Sequence, residues 1–328
     1  MRNWLFTALI LGGAFCGGVF VHAQSMDATD PLTVTLTPEF PTPYSVVTVT
    51  PASTLIDLNS SVVSISVNGT VVQKSSGTQP ADVAIGGSGK TTTILVTAVT
   101  NGTTYTKKIL VNPADVALVE EPISTTHPFY KGASLLASQG RVRLIAVPDL
   151  RNSAGTQIAA SSLIYTWRND DQLLESASGI GKNVLTAVAP NRYRDTVITV
   201  TVSSQNQNTV GQASMPISPI DPIMRIYQND PLLGPLYNQA LGTNVSITDS
   251  ERTFRAVPYF FSEIPTLGWQ VNSVTSQSGQ DITVRPTGSG TGSALLAVAA
   301  QAANFPQQVA ASLSVAFGIA KSTGIFGL

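Results

Sequence analysis

The clearest signal in the chain is a period of two. DTVITVTVSS (195–204) alternates Val or Ile with Thr, as expected of a strand with one face buried and one in water. Two further segments, TTTILVTAV (91–99) and SALLAVAAQ (293–301), are richer in apolar residues. A short polar turn and a second apolar-polar run follow all three. The full patterns are TTTILVTAV-TNGT-TYTKKILV, DTVITVTVSS-QNQN-TVGQASMPI and SALLAVAAQ-AANF-PQQVAASLSVAF. Each predicts a hairpin. In the first, Asn101-Gly102 is a dipeptide that tolerates the positive φ angles of a type I′ turn. Helix-period patterning is almost absent.

These hairpins belong to a longer repeat. GSGKTTTILVTAV (87–99) aligns without gaps on GSGTGSALLAVAA (288–300), and LIYTWRNDDQLL (163–174) on PTLGWQVNSVTS (265–276), matching Trp167 to Trp269. At this position the first copy offers VVSISVNGTVV (62–72), with Ile65 or Val67 in place of the tryptophan. RLIAVP (143–148) corresponds to TFRAVP (253–258) and to TVTP (48–51), and PFYKGASL (128–135) to PLYNQAL (235–241). The pattern predicts three modules of five to seven short strands, an all-β protein of tandem immunoglobulin-like β-sandwiches. Their expected bounds are 24–115, 116–220 and 221–318, between a signal peptide at 1–23 and a tail at 319–328. A tryptophan amid an alternating strand predicts a ring filling the space between two sheets, which makes Trp167 and Trp269 core anchors.

The motif Tyr165-Thr-Trp167-Arg-Asn-Asp170, followed by an I-T-V-T-V strand, resembles bacterial immunoglobulin-like and PKD-like repeats. The PFYKG and DPLLG segments are similar to junctions in a group of uncharacterised secreted bacterial proteins. The resemblance implies a β-sandwich repeat and no particular chemistry. It leaves PKD-like and generic subtypes open, because no W-D-F-G-D-G run is present.

The N-terminus adds a compartment. Arg2, the apolar run 5–21 and Val21-His22-Ala23 have the form of a secretory signal peptide cut between Ala23 and Gln24. Cleavage removes the single cysteine, Cys16, and leaves His127 as the remaining histidine. An exported chain with neither disulfide nor thiol must rely on apolar cores, and the missing cysteines favour a bacterial source. The tail 319–328 is too short to span a bilayer, so no transmembrane span is expected after cleavage. Charged residues make up 11% of the chain, 18 basic against 19 acidic, with no like-charge run. That balance argues against nucleic acid as a partner.

Ala84–Thr91 matches a relaxed phosphate-loop pattern, A-x-x-x-x-G-K-T. The motif needs a helix after it, whereas a β-branched run follows and the third copy carries Thr291 in place of Lys90. A turn is expected there, not a nucleotide site. His127, in Thr-Thr-His-Pro-Phe-Tyr, is expected at the junction of the first and second modules and not in a triad. One imidazole cannot build a multi-histidine metal site. The acids Asp170, Asp171 and Glu175, Asp249 with Glu251, and Glu120 with Glu121 are nominal hydrolase pairs without a pocket-forming insertion. Calcium at the junctions would draw on Asp115, Glu120, Glu121, Asp221 and Asp230, though no EF-hand-like run exists.

No catalytic, cofactor or metal residue is therefore expected. Pro128, Tyr130, Pro235 and Tyr237 are expected to pack where modules meet and stiffen the array. The expectation is a non-catalytic exported structural or adhesive protein of the envelope or an appendage, secreted or surface-associated, with a protein or glycan partner. The alternative is a carbohydrate- or wall-binding protein using Tyr130, Tyr193, Tyr237 or Tyr259, and a hydrolase stands third.

Overall fold

The computed structural model describes residues 30–287 and 290–318. The signal-peptide reading, with Ala23 and Gln24, and the tail 319–328 lie outside the described residues. Among the described residues twenty-four strands make six sheets, and the helical content consists of single 3-10 turns such as Leu58–Ser60. The chain divides into two compact units, one of residues 30–36, 48–83 and 93–109, the other of 37–47, 84–92 and 110 onward.

The first seven strands are β1 (Thr33–Thr37), β2 (Val46–Ala52), β3 (Val62–Val67), β4 (Thr70–Ser76), β5 (Ala81–Ala84), β6 (Thr92–Thr100) and β7 (Thr103–Val111). They form sheets ordered β1-β2-β5 and β4-β3-β6-β7. The second set is β8 (Asp115–Ile123), β9 (Arg141–Asp149), β10 (Ile164–Asn169), β11 (Gln172–Leu173), β12 (Gly179–Ile180), β13 (Val184–Val188), β14 (Thr196–Ser203) and β15 (Val210–Ile217). Its sheets run β13-β9-β8 and β11-β10-β14-β15. The third comprises β16 (Ile223–Asp230), β17 (Gly234–Pro235), β18 (Asn244–Ile247), β19 (Arg252–Tyr259), β20 (Thr266–Val271), β21 (Val274–Ser278), β22 (Asp281–Val284), β23 (Gly292–Gln301) and β24 (Gln308–Phe317). Here the orders are β17-β16-β19-β22 and β18-β24-β23-β20-β21.

In strand letters each set is an A-B-E sheet against a C′-C-F-G sheet, the immunoglobulin arrangement. The third set adds β18, which runs parallel to β24. Alternation places the cores: Ile198, Val200 and Val202 of β14 point inward, as do Ile94, Val96 and Ala98 of β6 and Leu296, Val298 and Ala300 of β23.

Trp167 and Trp269 are fully buried in the second and third cores. Their indole N–H groups donate to Lys182 O at 2.9 Å and Gly279 O at 3.1 Å, so the polar edge of each ring is satisfied inside. Register decides the first copy: Ile65 faces Val96, as Trp167 faces Val200 and Trp269 faces Val298. Three residues beyond each of these positions stands the same device. Asn68, Asp170 and Asn272 share a φ of 50°. Their main-chain N–H groups donate to Thr93 O, Val197 O and Leu295 O at 2.7–2.8 Å. Their side-chain oxygens accept the N–H of the same residues at 2.9 Å. A short polar side chain suits both the left-handed backbone and the reach to strand F. Asn101 and Gly102, at φ 48° and 78°, form the expected tight turn between β6 and β7.

Candidate functional site

The densest set of unusual contacts lies within the second unit, where the second sandwich meets the third. Strand β8 ends at Ile123, and the segment 124–140 leaves the second sandwich before β9 begins. Thr125 donates its N–H to Phe261 O at 2.6 Å and accepts from Phe260 N–H at 2.7 Å. The rings then follow. Tyr130 lies 5.8 Å from Tyr259 and 5.5 Å, edge-on, from Phe260, while His127 is 4.0 Å and Phe129 5.5 Å from Tyr237. Beneath them the Tyr227 and Tyr259 hydroxyls hydrogen-bond at 2.9 Å. Burial and that bond push the Tyr259 phenol upward.

Strand alternation explains why this surface exists. Met224, Ile226, Phe254 and Ala256 enter the third core, so Tyr227, Arg255, Val257 and Tyr259 emerge on the opposite face of the same sheet. There Arg255 grips Asp281 with two bonds, 2.8 and 2.6 Å. Tyr237 returns over this face, with Leu236 N–H donating to Gln228 O.

Polar contacts close the other side of the joint. Gln307, 2% exposed, donates its amide to Ser138 O at 3.0 Å and Ser262 Oγ at 2.9 Å, and accepts Ser262 N–H at 2.8 Å. Ile220, between β15 and β16, donates to Leu136 O and accepts from Ser138 N–H. Arg192 pairs with Asp221. Gly140 has no room for a side chain, since a Cβ would stand 2.8 Å from both Ala137 O and Ser262 Oγ.

The structure thus brings Tyr130 and Tyr237 to one surface of the third sandwich, while Pro235 sits in β17 opposite Asn229 and Pro128 is exposed. His127 is here too, rather than between the first and second modules. Its Nδ1 accepts Phe129 N–H at 3.2 Å. Burial, and then the Arg255 charge, hold the imidazole below its ordinary range. It touches the Phe129 and Tyr237 rings and the Phe129 main chain, which makes it a packing group. Of the tyrosines read as sugar platforms, Tyr193 is 83% exposed and Tyr130 37%, whereas Tyr259 is buried and Tyr237 half-buried. Sequence reasoning missed Thr125, Gly140, Ser138, Ser262 and Gln307. The visible signal was Tyr259-Phe260-Phe261, a run of rings where the second copy has Asp149-Leu150.

Beside the joint opens a cleft of about 710 Å³, lined among others by Arg141, Asp170, Asn191, Arg194, Asp195 and Phe305. The Arg141 guanidinium stands 5.6 Å from the Phe305 ring centre. Of the nominal acids, Asp249 pairs with Arg252, Glu251 with Arg285 and Glu121 with Arg143, while Asp170 lines the cleft. Asp230 accepts main-chain N–H groups. No group of three or more His, Cys, Asp or Glu side chains fit to hold a metal occurs among the described residues. Residues 85–91 connect β5 to β6, so a strand follows the phosphate-loop pattern. No described helix is long and apolar enough to cross a membrane.

No protein-family model matches the chain, and no curated protein matches it. Solved structures do. The three N-terminal domains of the highly immunogenic outer capsid protein of bacteriophage RB49 are 12% identical, over 88% of this chain and 99% of that one, with a TM-score of 0.27. Sidekick-1 immunoglobulin domains 1–5 are 12% identical over 85% and 56%, with a TM-score of 0.31. The central fibronectin-III array of RIM-binding protein is 12% identical over 86% and 95%, with a TM-score of 0.26. The class is defined by the strand order: an all-β protein of tandem immunoglobulin-like sandwiches.

Proposed function

We propose that the chain is a non-catalytic, exported bacterial scaffold of the cell envelope or an extracellular appendage, whose sandwiches space and present a protein-binding surface. The observation that carries this reading is the joint just described. Its distinctive side chains, Tyr130, His127, Tyr237 and Gln307, are spent on fixing one sandwich to the next. A joint made of rings, main-chain bonds and a buried amide holds two sandwiches in a set relation, as a spacer requires. Export rests on the leader-like segment 1–23. The test is crosslinking in intact cells of the source bacterium followed by identification of the captured neighbours. Envelope or extracellular proteins are expected, and recovery of cytoplasmic proteins alone would overturn the reading.

A second reading, carbohydrate binding, is favoured by the cleft. It gathers forked polar side chains (Arg141, Arg194, Asp170, Asn191) around Phe305 at a junction between sandwiches, a common place for ligands. A glycan array decides it: saturable binding lost in Phe305→Ala and Arg194→Ala supports it, and a blank array removes it.

A further inference from the structure

The most exposed large apolar side chain among the described residues, Leu232, is not on a sheet face. Leu232 is 94% and Leu233 78% exposed, adjacent at the tip between β16 and β17. The tip is held still: Asp230 Oδ1 accepts Leu232 N–H at 2.8 Å and Leu233 N–H at 3.0 Å. Gly234 closes the turn at φ +74°, pairing with Asp230. Two leucines fixed in water lose little freedom on binding, which is how an anchor is pre-organised.

Their position repeats a position already in use. Thr125 lies two residues beyond the end of β8, an A strand, and it bonds Phe260 and Phe261, just past the end of β19, the B strand of the next sandwich. Leu232 lies two residues beyond the end of β16, the A strand of the third sandwich. Aligning PFYKGASL on PLYNQAL puts Leu232 on Thr125. The A-strand end of the third sandwich therefore stands at the joint-forming position of the second, with exposed leucines where Thr125 bonds through its main chain and with the Leu232 N–H turned to Asp230 instead. The complementary half is a B-strand end, and the first sandwich shows one. Past the end of β2, Leu55 is 59% exposed. Ser53 Oγ fixes that turn by accepting Leu55 N–H at 3.1 Å and Ile56 N–H at 3.0 Å.

We propose that Leu232 and Leu233 dock onto the Leu55 turn of a second copy, joining chains head to tail through the strand ends that meet between the second and third sandwiches, with apolar side chains in place of the main-chain bonds. The occupant is a second copy because each chain displays both halves, and neither end carries a charge run that would oppose apolar contact. Such a contact is heterologous, so each copy can add a further one, in a ring or an open filament. The proposal rests on the scaffold reading but fails separately from it. Absence of self-association overturns this joint alone, whereas capture of only cytoplasmic proteins overturns the scaffold.

The experiment is sedimentation of the chain from Gln24, from about 10 µM to about 1 mM, the range of weak protein contacts. Concentration-dependent growth beyond a dimer is expected, with association weakened by roughly tenfold or more in Leu232→Ser/Leu233→Ser and separately in Leu55→Ser. All of these positions are exposed, and a circular dichroism melt confirms folding. Mixing the two variants leaves one competent joint per pair, so growth must stop at a dimer. A monomer throughout overturns the proposal. So does association indifferent to Leu55→Ser, which would mean tip-to-tip pairing. Association that appears only on removing 319–328 overturns it by making the chain's own tail the occupant. Leucine-dependent flotation with lipid vesicles in place of self-association overturns it in favour of a membrane.

Discussion

Replacing Gln307 with Leu isolates the polar half of the joint. Leucine keeps most of the apolar bulk but deletes three hydrogen bonds, to Ser138 O, Ser262 Oγ and Ser262 N–H. A buried polar group left without a partner costs about 1–3 kcal/mol. Two main-chain groups are orphaned, but both serines are half-exposed, so water recovers part of the loss. The expected weakening is about 2 kcal/mol, roughly thirtyfold in the coupling of the two sandwiches. The chain supplies its own reporters. Expressed from Gln24 it has two tryptophans, Trp167 in the second core and Trp269 in the third. Labelled with 5-fluorotryptophan, it gives one fluorine resonance per sandwich during urea titration. In the native chain both should vanish together, and in Gln307→Leu they should separate. Asn304→Ala is the control, because Asn304 bonds Glu263 within the third sandwich. If the two resonances still disappear together at an unshifted midpoint in Gln307→Leu, the amide does not couple the sandwiches and the reasoning fails.

Gly140→Ala should cost on the order of 2 kcal/mol through overpacking. Adding Ser262→Ala should restore only part of it, since Ala137 O is main chain and cannot retreat; urea midpoints measure both. Asn272→Ala removes the bond to Leu295 N–H and puts alanine at φ 50°, an expected loss of about 1–2 kcal/mol. Asn272→Asp should lose less, because Asp170 performs that task in the second copy; an equal loss would sink the account of the turn. The ring contacts should also depend on pH. Folding holds His127 below its ordinary 6.5, through burial first and then Arg255. Its contribution is therefore complete above pH 6.5 and lost as pH falls through the folded value. The fluorine resonances should separate more readily in acid, and His127→Phe should abolish that dependence. An unchanged acid response in the variant would assign it to another group.

Strand positions were legible because burial on one face writes a period of two into the sequence, as in Ile198, Val200 and Val202. The paired tryptophans and Asn101-Gly102 were legible for equally local reasons, bulk in one case and left-handed backbone in the other. What a segment touches was not. PFYKGASL announced a contact, but nothing in it names Tyr259 or Phe260, because docking depends on which face of a distant sheet is left over after its core is filled. Gln307 was invisible for the same reason, as one glutamine among several in a polar connection. The parallel pairing of β18 with β24 also escaped, since Asn244–Ile247 is too short to carry a periodic signal.

Synthesis runs from the N-terminus, and the arm carrying His127, Phe129 and Tyr130 is made about 130 residues before the Tyr259 and Phe260 it will cover. The second sandwich can close its own core long before then, because every residue of that core lies between Ala114 and Ile217. For that interval a finished sandwich trails His127 and Tyr130 without their ring partners, beside Phe129, which stays 70% exposed in the completed fold. The sticky stage of this protein's assembly is a folded one, and it ends only when the last sandwich has formed.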